Sequence, residues 1–529
     1  MTSLSSGIPL LAAFSAAVCW LAPAPAHGQT TTRASVDSAG LEGNGRSRHP
    51  TLSAAGRFVA FASSATNLVP SDTNESVDIF VHDRQGGITE RVSVATGGGE
   101  ANGWSYRIPA ISPDGRFVAF HSAASNLVAN DSNQAIDAFV HDRHTGTTTR
   151  VSLSSSGDEG NGDSYDPSLS ADGRFVAFWS RASNLIADDT NGADDVFVHD
   201  VQTASTTRVS VSSVGDEGNG VSANPSTSAD GRFVAFWSVA SNLVNGDVNG
   251  KHDCFVHDRQ TGVTTRVSVS SPGDEGNGHS REPSISADGR FIAFWSKASN
   301  LVPGDLNNRK DCFIHDTASG TTTRVSVSSS GLEGDGDSLL PVLSADGNLV
   351  VFTSSARNLV PDDTNELSDV FVHDRTTGTT MRVSLSTEGS EGNGESEHGA
   401  ISPDGSYVTF RSFASNLVAD DTNEQSDVFV TGPELTLEVI PTSVAPGEQL
   451  TLATWNGIPG DPVLLWILAI DGSIHPSIVA AGTFDATLAW TLSPTVPSGF
   501  SGFVITLQSL ALAPSGRKSL TNAAVLSFE

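Results

Sequence analysis

Positive charge is scarce in this 529-residue chain. Its 29 lysines and arginines stand against 60 aspartates and glutamates, for a formal net charge of −31. Lysine occurs only at 251, 297, 310 and 518. So acidic a surface repels phosphate backbones and anionic lipid, which excludes nucleic acid and anionic membranes as partners. It suits cations, cationic partners or solubility alone. Long apolar runs are also scarce. Ile8 to Ala22 is apolar and is followed by Ala24-Pro25-Ala26. This reads as a secretory leader ending near His27, though no Lys or Arg precedes the apolar run. Nothing later approaches the ~20 apolar residues of a membrane helix, and Val463 to Ile470 has the length of a buried strand. No membrane span is expected, and the location is extracytoplasmic, secreted or periplasmic. Beyond the leader only Cys254 and Cys312 remain. An exported chain can form a disulfide, but these two fill the same slot of consecutive motifs, "DCFVHD" and "DCFIHD". On face-packed sheets such slots lie about 10 Å apart, beyond the roughly 7 Å Cα limit of a disulfide. Two buried free thiols are expected. Helical periodicity is missing too. So are the G-x-S-x-G, H-E-x-x-H, C-x-x-C and phosphate-loop signatures, which argues against a coupled hydrolase domain.

What the chain has instead is repetition. The glycine of "DGRFVAF" and its variants falls at Gly56, Gly115, Gly173, Gly231, Gly289, Gly347 and Gly405, at one step of 59 and then five of 58. A chain of this length exceeds one ordinary core, and seven copies at a fixed period mean a repeat architecture. Each unit holds four strand-like runs rich in Val, Phe, Ile and Thr: a short one at a proline (Pro167, Pro283), "RFVAFW", "DVFVHD" and "TTRVSVS". The "ADG" and "PDG" steps have tight-hairpin chemistry. Four antiparallel strands per unit around a circle make an all-β, seven-bladed propeller. The fourth run first appears in "TTRASVD" (31–37), before any complete unit, and the seventh unit lacks one. The N-terminal strand is therefore expected to complete the last blade and remove an exposed edge.

These residues, "SPDGRFVAF" (112–120) with "DVFVHD", resemble the TolB-type propeller repeat, a relative of the WD repeat, over about residues 31–432. The units are longer than is usual for that family. The resemblance implies an exported propeller acting as a binding scaffold in the cell envelope; the fold alone does not fix function. The expected division is a leader at 1–26, the propeller at 27–432 and, at 433–529, an accessory β-sandwich read from runs such as "TLEVIP", "QLTLATW" and "GFVITLQSLAL".

By strand parity both long connections of every unit lie on one face of the disc, and function collects in such loops. The connection before "DVFVHD" carries D-x-N-x-x-x-D seven times: Asp72/Asn74/Asp78, Asp131/Asn133/Asp137, Asp189/Asn191/Asp195, Asp247/Asn249/Asp253, Asp305/Asn307/Asp311, Asp363/Asn365/Asp369 and Asp421/Asn423/Asp427. Two carboxylates and an amide oxygen on one loop are hard-cation ligands, so no cofactor is certain but Ca²⁺ is the one these loops suit, with Glu159, Glu217 or Glu275 approaching from the "EGNG" crossover. The same residues form Asx-turns without any metal, and the spacing is not that of an EF-hand. Both readings stand at this point. The "FVHD" histidines (82, 141, 199, 257, 315 and 373) read as packing or hydrogen-bonding groups, since third strands do not converge on the axis. Trp179, Trp237 and Trp295 read as blade packing.

At the axial mouth the repeat stops repeating. The slot before the inner-strand proline holds His49, Ile108, Asp166, Asn224, Glu282, Leu340 and His398, and the preceding slot adds Arg48, Arg107, Tyr165, Arg281 and Glu397. His49, Arg107, Tyr165, Asp166, Asn224, Arg281, Glu282 and His398 are the candidate ligand-binding residues; no catalytic residue is assigned. The expected function is a monomeric, non-enzymatic binding scaffold that recognises protein or glycan on the long-loop face. The alternative is a carbohydrate-active hydrolase or lyase at the channel mouth.

Overall fold

A computed structural model of the chain describes residues 29–432 in full and, beyond them, the backbone of Pro433 and of seven strands between 437 and 527. The leader expected at 1–26 lies outside the described residues. Residues 29–433 fold into seven four-stranded antiparallel sheets, each made from consecutive strands except the last. The fourth blade typifies them, with strands Ser222–Thr227, Phe233–Ser238, Asp253–Asp258 and Val263–Arg266 running from axis to rim. The only helical element among the described residues is the turn Ala54–Gly56. None is long and apolar enough to cross a membrane.

The ring closes through the N-terminal strand. Gln29–Arg33 pairs antiparallel with Asp427–Pro433, from Gln29↔Pro433 to Arg33↔Phe429. The stretch expected to pair, 31–37, is displaced by a few residues, because after Arg33 the chain already turns into the crossover toward the first blade. Thr31 Oγ1 donates to the Leu385 carbonyl at 2.6 Å, and Gln29 Nε2 donates to the Val383 carbonyl at 2.7 Å, so the strand also grips the sixth blade.

The core lies between blades rather than within one. Val196 and Val198 of the third blade pack with Val234, Phe236 and Phe255 of the fourth. A phenylalanine on each second strand stacks on one on the third, as in Phe236–Phe255 at 5.9 Å. The glycine of each D-G turn has two constraints. Gly231 takes φ +70°, and a Cβ built there would overlap the Phe175 ring of the preceding blade. Gly56 meets Tyr407 of the seventh blade in the same way, so this contact runs round the whole ring.

The repeated histidines have a structural job. His82 Nδ1 lies 2.8 Å from Thr89 Oγ1, and that hydroxyl donates to the Val36 carbonyl of the neighbouring crossover at 2.5 Å. The threonine proton is thus committed, so the imidazole donates. Burial pushes His82 down to about 4, which keeps the ring neutral. In the seventh blade Thr431 takes the histidine slot and receives Gln29 Nε2 at 2.5 Å. Cys254 and Cys312 are buried free thiols, as their spacing requires. Toward the C-terminus, Leu437–Ile440, Thr451–Trp455 and Ala489–Leu492 form one antiparallel sheet. Pro462–Ile470, Ser473–Thr483, Val504–Leu512 and Lys518–Ser527 form another.

Candidate functional site

The Asp/Asn loops and the "EGNG" crossovers do share one face, and they are bonded to each other. Thr190 donates through its amide and hydroxyl to Glu217, at 3.0 and 2.7 Å. Asn242 Nδ2 donates to the Glu217 carbonyl at 2.7 Å. Within each loop the asparagine is fully used. Asn191 Oδ1 accepts the Ala193 amide at 2.6 Å, the Asx-turn, while Nδ2 donates to Asp195 and to the Gly218 carbonyl.

All seven units repeat this pattern. Asn74, Asn133, Asn249, Asn307, Asn365 and Asn423 each donate Nδ2 to the aspartate four residues on: Asp78, Asp137, Asp253, Asp311, Asp369 and Asp427. The same Nδ2 groups donate to carbonyls of the neighbouring crossover. Each Oδ1 accepts the backbone amide two residues on. The sequence reading gave these asparagines an amide oxygen for a metal; in this structure that atom is engaged otherwise. The oxygen is held by the loop's own backbone, and the group facing the aspartate is the NH₂ donor, which repels a cation. The last aspartate of each motif is committed in the same way. Asp369 accepts Ser384 Oγ at 2.6 Å and Asn365 Nδ2 at 2.9 Å, and lies 3.3 Å from Arg382.

The carboxylates surround an arginine. Among the described residues, Asp189, Asp195 and Glu217 are the group that each offer one oxygen within 4.8 Å of the others, a spacing that suits a metal ion. Arg208, from the rim strand of the same blade, reaches all three: Asp195 at 3.2 Å, Asp189 at 3.8 Å, and Glu217 in a close contact. Arg91, Arg150, Arg266, Arg324, Arg382 and Arg33 occupy the same place in the other units. They lie 3.1 to 3.8 Å from the first aspartate of the motif, at Asp72, Asp131, Asp247, Asp305, Asp363 and Asp421. Burial and the neighbouring Asp195 raise Asp189 to about 6. Burial opposes the ionisation of Glu217, but Thr190 and Arg208 overcome it and hold that group at about 2. The donor set is matched to a guanidinium, so a divalent ion would have to displace it. Sequence reasoning missed this arginine, although "TTR" recurs at the same spacing as the aspartates.

The axial mouth has a different construction. A cavity of about 680 Å³ is lined by the inner strands of all seven blades. On each inner strand one residue breaks the register with the next strand and takes a left-handed backbone: His49 (φ 54°), Arg107 (66°), Asp166 (46°), Asn224 (51°), Glu282 (53°), Leu340 (55°) and His398 (53°). None is glycine, so each costs on the order of 1–3 kcal/mol, a kind of strain that collects at ligand sites. The bulge re-aims the side chain. All seven line the cavity. In the second blade the left-handed residue is Arg107, not Ile108. The strand Ser105–Ile111 carries one extra residue, the origin of the single 59-residue step.

Two sides of the mouth differ in charge. Where the ring closes, the His49 and His398 rings meet at 4.6 Å, and Tyr106 lies 5.5 Å from His49. Burial first, then His398 and Arg411, drives His49 down to about 2. Burial with Arg411 and Arg48 takes His398 to about 4. Both are neutral bases at pH 7, and His49 Nδ1 is buried without a hydrogen-bond partner. Arg107 pairs with Asp166 at 3.1 Å. Opposite, three indoles hold three acceptors: Trp179 Nε1 donates to Asp166 at 3.0 Å, Trp237 to Asn224 at 3.1 Å, and Trp295 to Glu282 at 2.8 Å. Burial raises the Glu282 carboxyl. The sequence signal was available, since tryptophan fills that second-strand slot only in the three units whose mouth residue is Asp, Asn or Glu. Tyr165 and Arg281 stand outside the cavity lining. Tyr165 stacks on Trp179 at 4.5 Å, and Arg281 lies over Trp237 at 5.0 Å and donates to His252 at 2.9 Å.

No protein-family model and no curated protein matches this chain. Solved structures do. An oligogalacturonate lyase in complex with manganese is similar at 12% identity over 76% of this chain and 93% of its own, with a TM-score of 0.47. An oligogalacturonate lyase from Vibrio parahaemolyticus is similar at 11% over 76% and 93%, TM-score 0.46. A TolB from Agrobacterium tumefaciens is similar at 18% over 53% and 79%, TM-score 0.34. These likenesses concern the fold.

Proposed function

We propose that the chain is an exported binding protein whose partner, a protein or a glycan, docks on the long-loop face at the axial mouth. One observation carries this reading. The units are nearly uniform except where seven strained backbone positions direct unlike side chains into a single cavity. The long loops, first candidates for recognition, are bonded among themselves and serve as the wall. Export rests on the apolar leader. The boundaries proposed are 1–26, 27–432 and 433–529, with the last segment a β-sandwich. Ca²⁺ at the acidic loops remains a proposal in which the ion displaces the arginine and takes carboxylate ligands. Glycan-array and pull-down binding with the exported chain tests the reading. Asn224→Ala with Glu282→Gln should weaken the captured ligand at least tenfold with only a small fall in melting temperature, from the left-handed backbone at Asn224 and its lost bond to Trp237. Capture that ignores both changes would remove the mouth as the site.

A second reading, hydrolysis or lyase chemistry on a carbohydrate, rests on the two imidazoles that meet at the mouth at 4.6 Å, although burial makes both of them weak bases. Turnover abolished by His398→Ala would support it, and binding of intact ligand without turnover would leave the scaffold reading.

A further inference from the structure

Most of the cations in this acidic protein are committed to its framework. Seven arginines fill the carboxylate clusters described above. Arg57, Arg116, Arg174, Arg232 and Arg290 each pair with the aspartate that ends "FVHD". Arg84, Arg143, Arg259 and Arg375 donate to the carbonyls of the turn glycines. Of the non-repeating cations, Arg107, Arg181, Arg357 and Arg411 also pair with carboxylates, whereas Lys251, Lys297 and Lys310, three of the four lysines of the chain, lie close together without one.

Lys251 and His252 end the long loop of the fourth blade. His279, Arg281, Lys297, Arg309 and Lys310 all belong to the fifth. The corresponding slots of the sixth blade hold Asp337, Leu339, Ser355, Leu367 and Ser368, so no framework demand makes them basic. They form one surface. The charges of Lys251, Arg281 and Lys297 all act on the His279 ring, and those of Arg281 and Lys310 act on Glu282. The His252 and His279 rings meet at 4.7 Å, and Lys310 lies 5.2 Å from the Trp295 ring centre. No described carboxylate sits within ion-pair distance of the side-chain charges of Lys251, Lys297, Arg309 or Lys310, though Asp337 accepts the Lys310 backbone amide at 3.1 Å. His279, Lys297 and Arg309 are exposed.

We propose that this basic edge, with the adjoining acceptors Glu282 and Asn224, binds an acidic polysaccharide, the cations taking its anionic groups and the acceptors its hydroxyls. The inference rests on the reading of the mouth as the binding site. Unpaired cations in a chain of net charge −31 call for an anionic ligand. The neighbouring carboxylate selects one that also presents hydroxyl donors a few ångströms from its charge. An acidic sugar carries both on one ring, whereas an acidic polypeptide brings carboxylates toward Glu282 with fewer donors to offset them.

The test uses the exported full-length chain and four immobilised polymers: alginate for carboxylates, dextran sulfate for sulfates, neutral dextran and poly-L-glutamate. Binding to alginate or dextran sulfate, weakening at least tenfold between 50 and 500 mM salt on the order expected of several ionic contacts, supports the proposal; which of the two binds names the anion. The triple change Lys251→Ala, Lys297→Ala, Lys310→Ala should cost at least a further tenfold, and the Lys→Arg triple should restore it. Preference for poly-L-glutamate, or polysaccharide binding indifferent to the alanine triple, overturns the proposal. If another glycan or a protein binds and responds to Asn224→Ala with Glu282→Gln but not to the lysines, the mouth reading survives alone. If nothing binds in either experiment, both readings fall.

Discussion

Arg208→Met asks directly what cation the acidic loops were built for. Methionine keeps the apolar stem and removes the charge. The arginine side chain is 6% exposed and its partner Asp195 is fully buried. Without it, Asp189, Asp195 and Glu217 face one another alone, one oxygen of each within 4.8 Å of the others. Removing one partner of a buried ion pair costs about 3–5 kcal/mol. At about 2.1 cal/mol/K of unfolding entropy per residue over roughly 400 residues, each kcal/mol moves the melting temperature by about 1 °C, so the fall should be about 4 °C. The deficit should depend on pH. Asp189 already titrates near 6, above its unfolded value, so the native state takes up a proton more readily than the unfolded one. Stability from that proton is present at low pH and lost as pH rises through about 6. Without Arg208 this dependence steepens, and the variant should approach the wild type as pH falls from 8 to 5. Calcium should rescue the variant, by about 2.7 kcal/mol at one hundred times its Kd, and a rise in the wild type as well would mean that the ion displaces the arginine there. Scanning calorimetry of both proteins, with calcium and with chelator, reads all of this. If chelator lowers the wild-type melting temperature while Arg208→Met melts like the wild type, a metal and not the guanidinium holds the loop, and the reasoning fails.

Starting the chain at Ala34 removes the strand that closes the ring, with Arg33 and the anchors of Gln29 and Thr31. The expected loss is about 5–7 kcal/mol, most of it from the buried arginine, with dimerisation through the bared edge in size-exclusion chromatography; melting and elution identical to the intact chain would disprove the clasp. Gly231→Ala should cost about 2–4 kcal/mol, because strain at φ +70° adds to overlap with Phe175. Gly246→Ala, at φ +78° with open space around it, should cost only about 1 kcal/mol; equal values by urea denaturation would refute the packing argument. His82 is held neutral, down to about 4, so the stability it contributes is present above its unfolded value of about 6.5 and is lost as pH falls toward 4. His82→Gln should therefore match the wild type more closely at pH 4.5 than at pH 7.5, and a constant gap across that range would count against the neutral donor role.

Much of this protein was determined by sequence alone, because a repeat makes its period visible. Seven turn glycines at near-constant spacing, four strand-like runs per unit and a displaced fourth run in "TTRASVD" specify seven blades closed by the N-terminus, whatever the details of packing. Strand parity puts both long loops on one face, since antiparallel strands alternate direction. Even the candidate mouth was legible, as the column where an otherwise uniform repeat diverges. Pairing across sequence distance was not. That Arg208 enters the pocket between Asp189, Asp195 and Glu217 depends on a rim strand folding back beside the loop. Which end of each loop asparagine faces its aspartate is likewise a matter of where the crossover carbonyl lies, as at Asn365 between Asp369 and Gly392. That Arg107 and not Ile108 takes the left-handed backbone depends on a bulge, which a one-residue insertion announces without saying where it settles. Ring order already makes His398 a neighbour of His49, but it does not reveal that their rings touch, or that the cations of the fourth and fifth blades share one edge. Side-chain direction and through-space charge come from closing the ring, and only the tertiary structure decides them.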